Sequence, residues 1–127
     1  MFARGPAHVD VRSVALVGVG GFAGATSRYA VATALPTAFP WGTLAVNVAG
    51  AFLLGLLVYG TSELRRIPET ARLVVATGFL SSFTTYSAFA AETVALSPVF
   101  AAGNVAANYA LGLLAVAVAR WVVLWRS

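Results

Sequence analysis

Asn47, Asn104 and Asn108 lie inside long uncharged apolar stretches, where a neutral amide is the strongest chemistry available. Each offers N–H donors that replace water around a small anion without the grip of a fixed charge. One such residue reads equally well as an interhelical hydrogen bond, worth about 0.6 kcal/mol on average. Three exceed what packing alone requires and suggest a track of donors. Asn104, Asn108 and Gly112 recur at helical spacing and form one polar and small stripe, while Gly50 follows Asn47 on nearly the same face.

Tyr86 and Phe89 are spaced to point one way from a helix. Aromatic stripes are most often packing, yet a ring carries a positive edge that contacts an anion without exposing polar groups. Arg28 is a charge near the end of an otherwise apolar run. It reads either as a snorkelling side chain or as a cation at a pore mouth, since charges at that depth usually face a cavity or a partner. Between these residues runs Gly78-Phe79-Leu80-Ser81-Ser82-Phe83-Thr84-Thr85-Tyr86-Ser87-Ala88-Phe89. Its hydroxyls compete for backbone groups and its β-branching restricts rotamers, so it makes a poor helix. An unpaired carbonyl in hydrocarbon costs several kcal/mol, and broken backbone survives there only where it lines a cavity or meets an ion.

Other chemistries find little support. Gly18-Val-Gly20-Gly21-Phe-Ala23 fits a relaxed dinucleotide fingerprint but has no strand before it, and Gly20 and Gly24 read better as a close-packing face. No serine has the neighbours of a nucleophile, no His, Asp and Glu cluster has metal-ligand spacing, and His8 belongs to a polar tail. Cysteine is absent, which excludes disulfides and thiolate sites. No enzyme activity is expected.

The elements that must position these residues follow from composition. The 127 residues are 60% hydrophobic and 9% charged, against about a quarter charged in a soluble domain. The apolar excess falls in Ser13–Leu35, Trp41–Thr61, Leu73–Ala91 and Thr93–Ala119, each near or above the roughly 20 residues that cross a bilayer. These predict one all-α integral membrane domain over residues 1–127, with spans at about 13–35, 43–61, 69–96 and 98–125 and the third broken at its centre. Pro36, Pro40 and Pro68 punctuate the links, and Ser97-Pro98 marks the last turn. Arg4 and Arg12 before an apolar run resemble a signal peptide, but no clean cleavage site follows and three more apolar segments do.

Taken together, the residues resemble the small bacterial fluoride channels of the Fluc, or CrcB, family. The matching stretches are Gly20-Gly21-Phe-Ala-Gly24-Ala25-Thr-Ser-Arg28-Tyr29, Gly42-Thr43-Leu44-Ala-Val46-Asn47-Val-Ala-Gly50-Ala-Phe52, and Gly78-Phe79 with Thr84-Thr85-Tyr86-Ser87-Ala88-Phe89. The resemblance covers all four spans. It implies an antiparallel dimer with two narrow pores and passive fluoride efflux, which lowers cytoplasmic fluoride and confers fluoride resistance. It further implies a structural, non-transported sodium ion held by the backbone carbonyls of Ser81 and Thr84. Asn47, Tyr86, Phe89 and Asn108, with Asn104, would line the pore, together with Arg28 and Thr85. The sequence departs from the family pattern where Ser81 and Ser82 replace two glycines, Tyr86 replaces phenylalanine and Ala88 replaces threonine.

Two alternatives remain open on the sequence. A proton-coupled exporter needs a carboxylate near the middle of a span, and the first span has none. A subunit of a heterodimeric channel, with no conduction or only partial conduction of its own, is the other. The arginines bear on it. Arg4, Arg12, Arg65, Arg66, Arg72, Arg120 and Arg126 fall on one side of a four-span topology, which predicts both termini cytoplasmic in a bacterial inner or other plasma membrane. One fixed orientation in an antiparallel dimer requires a second, related chain, whereas dual insertion yields a homodimer.

Overall fold

In hydrocarbon a backbone amide finds no partner outside the chain, so uncharged runs of Ala, Val, Leu and Gly close their hydrogen bonds as helices. The computed structural model describes residues 10–64 and 68–126, nearly all helical and without a strand. Helix α1 spans Val11–Ala34 and α2 spans Trp41–Leu64. The third span comprises α3, residues 69–83, and α4, Tyr86–Ala95, and the last helix, α5, spans Pro98–Arg126. Four spans are long and apolar enough to cross a membrane, and the protein is a multi-pass membrane protein. Arg4, His8, Arg65 and Arg66 lie outside the described residues.

Local chemistry sets the ends. The Asp10 carboxylate caps α1 by accepting from the Arg12 amide at 3.1 Å. Pro98 opens α5, with the Ser97 carbonyl accepting from the Ala101 amide at 2.8 Å. Phe39 and Trp41 pack together in the proline-rich link, ring centroids 4.7 Å apart.

Helix α1 lies along α3, and α2 lies along α5. Glycine permits the first pairing: a methyl at Gly20 would collide with the Val74 carbonyl, and one at Gly24 with the Phe79 carbonyl. A Cβ on Gly78 would in turn lie 2.6 Å from the Val17 carbonyl oxygen. The close-packing face expected of Gly20 and Gly24 is thus formed against α3, whereas Gly18 faces open space. Large apolar side chains such as Phe22, Val58, Val94 and Leu113 point outward, as lipid-facing residues do. At the arginine-rich end, Arg12 Nη2 donates to Thr70 Oγ1 at 2.9 Å, and the Arg120 guanidinium sits 6.0 Å from the centre of the Tyr59 ring.

The third span departs from a plain helix twice. Arg72–Leu80 is π-helical, a wide coil rare in proteins and frequent at functional sites. The Ser81 hydroxyl shares its one hydrogen between the Thr77 and Gly78 carbonyls and so supplies a donor to the end of that coil. The helix then stops: Thr84 and Thr85 are extended, with φ/ψ of −81°/155° and −149°/121°. The interruption read from the hydroxyl cluster is therefore two residues long. A methyl on Gly50 would strike Thr84 Cγ2, so the glycine in α2 makes room for the break.

Candidate functional site

Asn47 in α2 faces the break. Its Nδ2 donates to the Thr85 carbonyl at 3.0 Å, and its Oδ1 accepts from the Thr85 amide at 2.8 Å. The side-chain amide thus pairs with one extended residue much as a neighbouring strand would. Thr85 then starts α4, its hydroxyl accepting from the Ala88 amide at 3.1 Å. The tyrosine and phenylalanine of α4 follow directly, with ring centroids 5.8 Å apart.

From Asn47 a chain of polar side chains leads into α5. Asn47 Nδ2 also lies 3.4 Å from Asn108 Oδ1, the longest contact of the series. Asn108 Nδ2 donates to the carbonyl of Asn104 at 2.8 Å and to its Oδ1 at 3.0 Å. Asn104 Nδ2 donates to Thr93 Oγ1 at 2.8 Å, and Thr93 Oγ1 donates to the Phe89 carbonyl at 2.6 Å. Burying amides is tolerable only when they are paired, and this chain pairs them.

The cavities follow from these placements. Asn47, Tyr86, Phe89, Asn108 and Tyr109 line an open cavity of about 150 Å³. A larger cavity of about 460 Å³ runs along the break and is also bordered by Asn47 and Tyr86, which therefore stand at the junction of the two. Within the smaller cavity Phe89 is 8% exposed, whereas Tyr86 is 73% exposed on the surface of this single chain. Tyr109 meets Phe89 edge to face at 6.2 Å and 83°. The lining carries amides, hydroxyls and ring edges, with no fixed charge among its five residues.

Comparison with known proteins decides the family. The model of the CrcB-like protein, Camphor Resistance (CrcB) family matches residues 15–120. A protein of Natronomonas pharaonis named fluoride-specific ion channel FluC 1 is 69% identical over 116 residues, covering 91% of this chain and 98% of the relative. A Haloarcula marismortui protein of the same name is 50% identical, an alignment covering 91% of this chain and 88% of the relative. A Halobacterium salinarum protein named fluoride-specific ion channel FluC 2 is 48% identical, covering 91% and 89%. The chain belongs to the CrcB family.

In this CrcB protein the two carbonyls that the resemblance picks out, Ser81 and Thr84, share a property. In an unbroken helix the Ser81 carbonyl would accept from the Thr85 amide, and the Thr84 carbonyl from the Ala88 amide. Both donors are spent elsewhere, on Asn47 Oδ1 and on Thr85 Oγ1. Two carbonyl oxygens deprived of their helical donors suit a hard monovalent cation, and serine supplies a carbonyl as well as glycine does.

Arg28 approaches the break from α1 and donates from Nε to the Ser82 carbonyl at 3.0 Å. It is half-buried and shares a cavity of about 340 Å³ with Ser81, Ser82, Thr84, Thr85, Tyr86 and Ser87. Its side chain therefore reaches the break rather than running out to the headgroups.

Asn104, expected on the pathway, is 1% exposed and stands behind Asn108 instead of bordering the cavity. Tyr109 borders the cavity but was not singled out in the sequence, where it follows Asn108 and reads as the next face of the helix. Thr93 was missed as well, although its spacing from Phe89 puts both on one helical face. Glu92 accepts from the Thr43 hydroxyl at 3.0 Å, and its other carboxylate oxygen is buried without a partner among the described residues. The pair borders a separate cavity of about 440 Å³ under the proline-rich link.

Proposed function

We propose that this protein is a fluoride channel, allowing passive efflux that lowers cytoplasmic fluoride. A CrcB chain is a channel subunit and not an enzyme. The observation that carries the fluoride reading is the small cavity in which Asn47, Asn108 and three aromatic rings converge without a fixed charge. Fluoride is small and strongly hydrated. Conduction needs donors that replace its water and yet release it, which neutral amides and ring edges provide better than an arginine or a metal. The relatives named as fluoride-specific channels support the assignment.

Arg28 would draw the anion toward the break, and the Asn47 amide with the ring edges of Tyr86 and Phe89 would pass it on beside Asn108, whose oxygen faces Asn47. A sodium ion fits the Ser81 and Thr84 carbonyls; bound there, it would supply positive charge to oxygens that the interrupted helix leaves without donors. A cavity this open on one chain is completed by a second subunit, and an antiparallel dimer places two breaks face to face. A heterodimer with a related chain is favoured by the described arginines other than Arg28, since Arg12, Arg72, Arg120 and Arg126 crowd one end and predict a single orientation with both termini cytoplasmic.

Fluoride efflux from proteoliposomes, followed with a fluoride electrode, tests the assignment. Efflux far above protein-free vesicles, with chloride retained, is expected once both subunits of the channel are present. Vesicles that hold fluoride when this chain is reconstituted alone, but release it with a co-expressed relative, would identify a heterodimer subunit.

A further inference from the structure

The direction of the polar chain is fixed at one end. The Phe89 carbonyl can only accept, so the Thr93 hydroxyl spends its one hydrogen there and must accept from Asn104. Asn104 therefore turns its Nδ2 to Thr93 and its Oδ1 to Asn108. Asn108 in turn directs its amide nitrogen, which has two N–H groups, at the two oxygens of Asn104. What Asn108 shows to Asn47 and the cavity is its oxygen, at 3.4 Å from Asn47 Nδ2.

We propose that Asn104, locked by Thr93, is a positioning residue that makes Asn108 present an acceptor, leaving Asn47 as the cavity's amide donor. The proposal rests on the fluoride reading above and adds a cause for weak holding. An anion displaces Asn108 Oδ1 from the Asn47 N–H, the longest bond of the series, while the paired bonds between Asn47 and Thr85 stay intact. When the anion leaves, Asn108 Oδ1 takes the hydrogen back. Were Asn108 free to turn over, its N–H groups would add to the donors around the ion, and a better-held ion leaves more slowly.

Asn104 is 1% exposed and touches no cavity, so its effect on the ion passes through Asn108. Thr93→Val keeps the shape of the side chain and removes the acceptor that orients Asn104. Asn104→Ala removes the side-chain half of the lock and leaves the Asn104 carbonyl as the one acceptor for Asn108 Nδ2, and Thr93→Ser retains the hydroxyl.

Two measurements on the full chain test this. In proteoliposomes, Thr93→Val and Asn104→Ala should lower the half-saturating fluoride concentration by roughly two- to tenfold, the worth of one hydrogen bond, and reduce the maximal rate. Thr93→Ser should behave as wild type. A purely structural role would reduce folded protein without changing half-saturation. In NMR spectra of side-chain amides, fluoride should shift the Asn47 N–H signals far more than those of Asn108 in the wild type, and both to a similar extent in Thr93→Val. Wild-type conduction with unchanged half-saturation and the same amide shifts in the variants would overturn the positioning role alone. A wild type with neither flux nor any fluoride-dependent amide shift would overturn the channel assignment and this proposal together.

Discussion

Asn47 holds both backbone polar groups of Thr85, donating to the carbonyl at 3.0 Å and accepting from the amide at 2.8 Å. One side chain therefore serves two purposes: it closes the backbone of the interrupted span and keeps an N–H at the junction of two cavities.

Asn47→Ala should accordingly abolish most fluoride flux and also lower stability. Two hydrogen bonds to a partly buried backbone are lost, at about 0.5–1.5 kcal/mol each. Flux from liposomes and thermal unfolding in detergent should fall together. A variant that melts as the wild type does and conducts as well would remove Asn47 from both roles.

The glycines of α1 give a paired contrast. Gly24→Ala should prevent correct assembly, because the added methyl meets the Phe79 carbonyl, backbone that cannot turn aside. Gly18→Ala faces open space and should be tolerated. Size-exclusion profiles of the two variants check this, and equal behaviour would mean that α1 does not seat on α3 through this face.

Tyr86→Phe should leave flux close to wild type, since the ring and its 5.8 Å contact with Phe89 remain while the hydroxyl goes. Phe89→Ala should sharply reduce flux, because it removes a nearly buried ring from the cavity wall and with it the partner of Tyr109. Initial efflux rates distinguish the two. A strong loss in Tyr86→Phe would assign the anion contact to the hydroxyl rather than to the ring edge.

Replacing sodium by a large organic cation should reduce flux or weaken the dimer, the expected signature of an ion held at Ser81 and Thr84. Efflux and subunit exchange, each measured in the two solutions, provide the check. Unchanged values in both would argue against a bound sodium.

Orientation can be read directly. Single cysteines at residue 3 and at Thr37, labelled from outside on cells that express this chain alone, should react only at Thr37. Comparable labelling at both positions would indicate dual insertion and a homodimer.

The spans were legible because uncharged runs, prolines and caps act locally; predicted and observed ends agree within three residues. The break was legible for the same reason, since hydroxyls and β-branching weaken a helix wherever they cluster. Its mate was not. The pairing of Asn47 with Thr85 joins positions 38 residues apart, and no periodicity in the chain reports which asparagine meets which peptide unit. Asn104 shows the complementary difficulty: an amide within a span can line a cavity or brace the amide that does, and spacing is the same for both. The wide coil of Arg72–Leu80, which packs against the glycines of α1, had no local signature.

That coil bears on the order in which the nascent chain assembles. A π-helical segment is a poor solitary structure, and here α1 presses its glycines against the Val74 and Phe79 carbonyls. The ribosome delivers α1 first, so its glycine trough is waiting when the third span leaves the translocon. The close fit between them implies that the third span reaches its final shape against α1, a neighbour already in the bilayer.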